Sequence, residues 1–392
     1  MDDTKLALVA VESRIERDPR VSRQIDWLTQ DGWRVDSLGL GDSSALGVRD
    51  HFPIADVAPW KLTKFGTAVI YGLLSHRKKF EVLTLARFPA EVRSRVRNGD
   101  YDLIILNDRH FVPWIAERRD FTSAALSGHV HLDLHEYFIP KLKRDSLWRI
   151  ATASYYEWCR RLFAHRAFTS RSTVNSGIAK LYAAEFDIAT PAVIRNSPPF
   201  VDLEPSDVDP ENIKLIHHGT ARWDRGLRQM IDAVRMSDRR IELTLMLVGE
   251  ESVLAELRDL FADIADRVAL VPPVQMESLA QEVNQYDLEV IFYEPTSKNL
   301  ELALPNKLFE AVQGRLGLLI GPSPEMVKII ETYGNGAVAA GWAPSQLAEV
   351  LNGLDAESVA KMKWSSHNAA SELNSETERK VFRDVVSGDG VV

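Results

Sequence analysis

The sequence predicts an α/β protein made of two doubly wound domains, each a parallel sheet with helices on both faces. Strand-like and helix-like segments alternate from one end of the chain to the other. A length of 392 residues with 45% hydrophobic content supplies two cores of ordinary size. Between the two alternating series lies 196–212, which holds Pro198, Pro199, Pro205 and Pro210 and has almost no periodicity. The expected division is therefore 1–196, 197–375, and a terminal segment 376–392 packing back on the first domain.

In the first series 5–11 is an apolar strand. Asp18 and Pro19 then open a helix with Val21, Ile25 and Leu28 on one stripe, which Gly32 stops. Strand 34–40 follows, then a long basic helical region over 63–97, then strands 101–106 and 129–134. Helix 145–163, strand 167–170, helix 173–186 and strand 192–195 complete this half. The second series reads as strands 214–218, 242–248, 268–271, 288–293 and 317–320, alternating with helices 225–236, 253–264, 276–285, one opening at Pro305, and 324–333. Terminal helices follow, and the tail from Ser387 is read as disordered. Two such units in tandem place ligands at the carboxyl ends of their strands, in a cleft between facing strand ends.

Net charge is −9, yet cations outnumber acids in the first half and acids dominate the second. Arg77, Lys78, Lys79, Arg87, Arg93, Arg95, Arg97, Lys141, Lys143, Arg144, Arg149, Arg160 and Arg161 make a basic region that would attract an anionic membrane surface. The overall acidity and the lack of a recognised binding module argue against nucleic acid. No apolar run approaches a bilayer span and no signal peptide is evident, so a cytoplasmic protein, peripheral at the inner face of the membrane, is expected. The lone Cys159 excludes an intrachain disulfide. His129, His131, His217 and His218 flank strands with no carboxylate or cysteine at ligand spacing, and no metal is assigned. Asp100 and Asp102 have the spacing of a metal pair but precede a strand, at the wrong end for a site.

The run Leu304-Pro305-Asn306-Lys307-Leu308-Phe309-Glu310 is the most informative. Leu308, Phe309 and Val312 face a core, but Lys307 sits against the positive end of the helix dipole. An anion docked at that helix start would explain the lysine, and Glu310 one turn on would face hydroxyls. A core helix with a solvated Lys and Glu is the competing reading. The turn Gly219-Thr220-Ala221-Arg222-Trp223-Asp224-Arg225-Gly226 repeats the pattern, with cations beside a helix start and a glycine that permits close backbone approach. Two such places in one domain suggest a diphosphate held from both sides. In the first half His135 and Glu136 follow a strand, where a histidine can meet a sugar hydroxyl. Arg14, Arg17, Arg20 and Arg23 crowd the first loop and helix, with no glycine-rich cradle before them.

Together these motifs resemble the retaining glycosyltransferases of the GT-B fold, of the family-four type (glycosyl transferases group 1), over nearly the whole chain. The markers are Asp31-Gly-Trp-Arg-Val35, Asp133-Leu-His135-Glu136, Ile194-Arg-Asn196-Ser-Pro-Pro, the Gly219 to Gly226 turn, Leu247-Val-Gly249 and Leu304 to Glu310. The resemblance implies two Rossmann-like domains facing a central cleft, the first binding acceptor and the second the nucleotide sugar. Glu310 is similar to the glutamate that accepts from the ribose, and Arg222, Arg225 and Lys307 to the groups that neutralise the diphosphate. His135 resembles the histidine that touches the donor sugar, Gly219 and Thr220 lie on the donor turn, and Val274 after Pro273 would line the base pocket. The family's second glutamate is Leu302 here, with Glu301 one step off, which leaves Asn299 or the backbone up to Leu304 for the donor sugar. With the glycine-rich loop absent, Arg17 or Arg20 is expected to hold the acceptor.

The implied activity is hexosyl transfer from a nucleoside diphosphate sugar to a glycan or lipid-linked acceptor hydroxyl, in cell-envelope glycan, glycolipid or polysaccharide synthesis. Configuration is retained, and the leaving phosphate takes the acceptor proton. The nucleotide sugar is a co-substrate; no cofactor and no metal is expected. Two other readings stay open: a nucleotide-sugar epimerase of related fold, and a non-catalytic nucleotide-sugar-binding protein.

Overall fold

The computed structural model describes residues 4–42, 47–55, 72–117, 128–138 and 147–387. The chain divides into two compact units, Met1–Ile194 with Arg379–Val392, and Arg195–Glu378.

The first unit carries a seven-stranded sheet of β1 (Leu6–Arg14), β2 (Arg34–Leu40), β3 (Val48–Ile54), β4 (Leu103–Leu106), β5 (His129–Asp133), β6 (Ser170–Thr173) and β7 (Ala192–Val193), ordered β3-β2-β1-β4-β5-β6-β7. Every pairing is parallel. Leu6 to Val11 are all buried, as a strand covered on both faces requires. Helix Pro19–Gln30 begins as expected, with the Asp18 side chain accepting from the Val21 N–H at 3.2 Å. Strand β3 went unread because Arg49, Asp50, His51 and Pro53 disguise it. It is an edge strand, where proline is tolerated, and Arg49 grips the buried Asp36 at 2.7 and 2.8 Å. Strand β6 lies three residues later than expected, on the polar run Ser170–Thr173. Its hydroxyls have partners inside: His131 meets Ser170 and Ser172 at 2.8 Å each, and Thr173 donates to the Leu134 carbonyl at 2.7 Å. Satisfied hydroxyls bury at little cost.

The expected long basic helix is broken into His76–Leu83 and Ala90–Asn98, with 56–71 outside the described residues. Many of its cations face acids of their own unit: Arg77 with Glu117, Lys78 with Glu81, Arg87 with Glu12, and Arg95 with Asp36, Asp50 and Glu91. Arg160 and Arg161 pair with Glu157. Lys141, Lys143 and Arg144 lie outside the described residues, as does the tail 388–392. No helix among the described residues is long and apolar enough to cross a membrane.

The second unit has six parallel strands, β8 (Ile213–Thr220), β9 (Ile241–Val248), β10 (Val268–Val271), β11 (Leu288–Ile291), β12 (Gly317–Ile320) and β13 (Gly336–Val338), ordered β10-β9-β8-β11-β12-β13. The winding reverses between β8 and β11, and such a switch leaves a crevice at the carboxyl ends of the two strands. Helix Leu227–Met236 buries Leu227, Met230, Ile231 and Val234 as its stripe predicts. Segment 196–212, which has almost no periodicity in the sequence, is fastened to this unit. Val201 donates its N–H to Gln313 at 3.0 Å, and Ser206 donates to the Asn284 carbonyl at 2.6 Å. The last helix, Ser375–Ser387, passes from the second unit to the first, where Phe382 packs on Trp27 with ring centroids 5.2 Å apart.

Candidate functional site

The carboxyl ends of β8 and β11 form the most chemically loaded place in the second unit. β8 ends in His217, His218, Gly219 and Thr220; just past β11 stand Phe292 and Tyr293. Helix Asn306–Gln313 opens against them, one residue later than expected. Its N-cap, Pro305, supplies no side-chain cap; the Leu308 N–H turns back to the Pro305 carbonyl at 3.1 Å, while the Asn306 and Lys307 N–H groups precede any acceptor of the helix. A helix end of that kind favours an anion.

Lys307 does not reach solvent as a surface lysine would; it is only 8% exposed. Its ammonium donates to the His217 ring nitrogen Nε2 at 3.1 Å and to the His218 carbonyl, and it lies 5.6 Å from the centre of the Tyr293 ring. Burial pulls its pKa down to about 8, against the opposing pull of Glu289 and Glu310. Gly219 makes room for it: φ is +122°, and a Cβ there would stand 3.3 Å from the Lys307 nitrogen. Arg225 bears on the same tyrosine, its guanidinium 4.7 Å from the Tyr293 ring centre. Its position rests on Gly226, whose φ is +72° and where a Cβ would collide with the Phe292 carbonyl oxygen. Any other residue would push this turn off the sheet. Two cations far apart in the sequence thus meet at one buried ring.

The same place holds a group that the sequence alone did not reveal. His218 donates from Nδ1 to Glu289 and from Nε2 to Glu310, both at 2.9 Å. A ring donating from both nitrogens is an imidazolium. Burial alone would lower its pKa, but the charges of Glu289 and Glu310 outweigh this and raise it to about 9. His217 is the opposite case. Burial and the Lys307 charge hold it well below the usual histidine range; Nδ1 donates to the Val290 carbonyl at 2.7 Å and Nε2 accepts from Lys307. A signal was present in the sequence: Glu289 interrupts an otherwise apolar parallel strand, and it is fully buried.

The remaining expected residues fall in several places. Arg222 is half-exposed and chelated by Asp224 through two hydrogen bonds, 2.9 and 2.6 Å long, so its charge is already matched. Thr220 is exposed at the end of β8; Val274 and Leu304 are partly buried against the core under this sheet. Asn299 lies in the short helix Lys298–Glu301, where Glu301 pairs with Lys298 at 2.7 Å, and Leu302 is buried.

In the first unit His135 follows β5, with its ring edge-on to Phe138 and its Nδ1 buried without a hydrogen-bond partner. Arg17 is exposed after β1. Arg20, expected to hold the acceptor, is instead a buried structural anchor. It grips Asp133 at 2.5 and 2.8 Å and the Ile194 carbonyl at 2.8 Å. Gln24 and Ser172 complete the shell of Asp133, at 2.9 Å each. Burial would raise the Asp133 pKa, but Arg20 holds it down to about 2. Asp102 is structural too, its carboxylate accepting from the Leu6 N–H at 2.8 Å. Cys159 is buried, which drives its thiol up to about 12. Among the described residues no group of three His, Cys, Asp or Glu side chains is placed to hold a metal ion.

No protein-family model matches the chain, and no curated protein matches it. Solved structures do. HepE of Anabaena, crystallised with UDP and glucose, superposes over 98% of this chain and 99% of its own with TM-score 0.66 at 14% identity. The sucrose-phosphate synthase of Thermosynechococcus elongatus covers 98% and 99%, with TM-score 0.66 at 13% identity. WaaG, a glycosyltransferase involved in lipopolysaccharide biosynthesis, covers 98% and 100%, with TM-score 0.62 at 12% identity.

The chain has the GT-B fold. In GT-B terms, the Lys307, Arg225 and Glu310 cluster belongs to the second Rossmann-like unit and stands at its topological switch point.

Proposed function

We propose that this GT-B chain is a retaining glycosyltransferase that moves a hexosyl group from a nucleoside diphosphate sugar to an acceptor hydroxyl. The observation that carries the reading is the convergence of Lys307 and Arg225 on Tyr293, beside the bared backbone of Gly219 and the start of helix Asn306–Gln313. Two cations and an uncapped helix start, fixed before any ligand arrives, suit a diphosphate.

In this reading the diphosphate lies against Lys307, Arg225 and the backbone N–H groups of Asn306 and Lys307, and Glu310 accepts from the ribose. As the bond from the anomeric carbon to the diphosphate oxygen breaks, negative charge grows on the phosphate that these groups already face. Preorganised donors of that kind are worth roughly 3–4 kcal/mol each. The departing phosphate oxygen then takes the acceptor proton as the new glycosidic bond forms on the same face, so configuration is kept. Positive charge comes from side chains and the helix, and the reading needs no metal ion. Arg17, exposed on the first unit, remains as an acceptor ligand. HepE, crystallised with UDP and glucose, supports a nucleotide-sugar donor, and the involvement of WaaG in lipopolysaccharide biosynthesis supports an envelope glycan as the destination.

The test is a thermal-shift screen with UDP, GDP, ADP and their sugars, followed by turnover of the best donor. Stabilisation by a nucleoside diphosphate is expected, together with at least a roughly hundredfold loss of turnover in Arg225→Ala at an unchanged melting temperature. A protein stabilised by none of them refutes the reading. Isomerised donor sugar in the absence of acceptor favours an epimerase.

A further inference from the structure

Glu310 is not a free carboxylate waiting for a ligand. His218 holds its Oε2 at 2.9 Å, and His218 is itself held by Glu289 on the neighbouring strand. The three side chains form a relay from the sheet interior outwards: Glu289 on β11, His218 on β8, Glu310 on helix Asn306–Gln313. Glu289 is fully buried and His218 nearly so, while Glu310 keeps some exposure, its side chain 12% open. Glu289 also accepts from the His218 backbone N–H at 3.4 Å and stands 3.7 Å from the His217 ring.

A buried carboxylate in a parallel strand is costly, and an apolar residue there would pack as well. Its place behind the histidine accounts for its presence. It keeps both ring nitrogens protonated, so the ring offers a fixed donor to Glu310. We propose that Glu289 and His218 are positioning residues that lock the rotamer of Glu310, leaving its other oxygen aimed at the ribose, and thereby set the preference for ribonucleotides over 2′-deoxyribonucleotides. The inference rests on the reading above, in which Glu310 meets the ribose.

The lock has a proton dependence. The charged groups facing His218 are Glu289 from β11, Glu310 and Lys307 from the helix, with His217 beside it on β8. Loss of the ring proton removes one of its two donors, so the lock holds below about 9 and loosens as pH rises through that value. Lys307 titrates nearby, at about 8, but its charge bears on the diphosphate that both nucleotides share. The ratio of the two affinities therefore isolates Glu310.

The experiment measures, by calorimetry, the dissociation constants of whichever of UDP, GDP and ADP binds most tightly and of its 2′-deoxy counterpart. It uses the full chain as wild type, His218→Gln, and the double variant His218→Leu with Glu289→Leu. The double change swaps a buried ion pair for apolar side chains, an exchange that proteins often accept without loss of stability. Expected for the wild type is a roughly tenfold preference for the ribonucleotide at pH 7 that falls as pH passes about 9. The double variant should lose that preference to about twofold or less, keep its affinity for the deoxynucleotide, and show no pH limb in the ratio. His218→Gln should retain part of the preference without the limb. A folded double variant with the wild-type ratio overturns the inference alone. A wild-type protein that binds nucleoside diphosphates with no ribose preference removes Glu310 from the ribose and the inference with it. A wild-type protein that binds none of them refutes the proposed function itself.

Discussion

Replacing Lys307 with methionine asks how much a buried, prepositioned cation contributes to diphosphate affinity. The side chains are similar in volume and the position is only 8% exposed, so the change removes charge and hydrogen bonds more than packing. In the free protein Lys307 is already stripped of water and held by His217 and the His218 carbonyl, so an arriving anion need not desolvate or order it. A hydrogen bond to a charged group under these conditions is worth about 1.5–3 kcal/mol, roughly a 10- to 150-fold change in Kd. The effect on the fold is smaller, because relief of a buried charge offsets the two acceptors left without a donor. The pH dependence gives a second handle. Burial lowers the Lys307 pKa to about 8, and an anion favours the charged form, so wild-type affinity should be full below about 8 and weaken as pH rises through it. The variant lacks this limb. Calorimetric titration with the best-binding nucleoside diphosphate at pH 7 and at pH 9, with thermal denaturation alongside, measures both. A folded variant whose affinity at pH 7 stays within about twofold of wild type would refute the assignment of Lys307 to the diphosphate.

Arg222→Ala should change nucleotide affinity by less than about threefold, because its exposed guanidinium is already paired with Asp224; a loss of roughly a hundredfold by the same titration would show that the pair opens onto the ligand. Arg20→Ala should cost about 3–5 kcal/mol in urea denaturation, since it leaves Asp133 buried with an unmatched charge. The depressed Asp133 pKa gives the sign with pH: its stabilisation is present above the ordinary carboxylate range and is lost as pH falls towards about 2, so the Arg20→Ala penalty should shrink in acid. Gly226→Ala should destabilise the second unit by about 1–3 kcal/mol and weaken nucleotide binding, as a β-carbon there strains the turn that aims Arg225; an unchanged melting temperature would contradict this.

The sequence by itself determined the alternation of strands and helices, the stripe of helix Leu227–Met236, the N-cap at Asp18, and the anomaly of a cation at Lys307. These are local facts, written in periodicity and in the chemistry of helix ends. It also placed the candidate donor residues at the carboxyl ends of strands. It did not show strand β3 and set the polar strand β6 three residues early, because their propensities are poor and their polar side chains find partners only across the sheet. Arg20 and Arg17 looked alike as sequence; tertiary structure set Asp133, distant in the chain, against one and left the other in solvent. The histidines of β8 seemed to lack carboxylates because none lies near them in the chain. The sheet brings Glu289 to His218 from 71 residues away, and the helix brings Glu310 from 92. Partners so far apart leave no periodic trace, since their contact depends on how parallel strands are ordered rather than on local spacing.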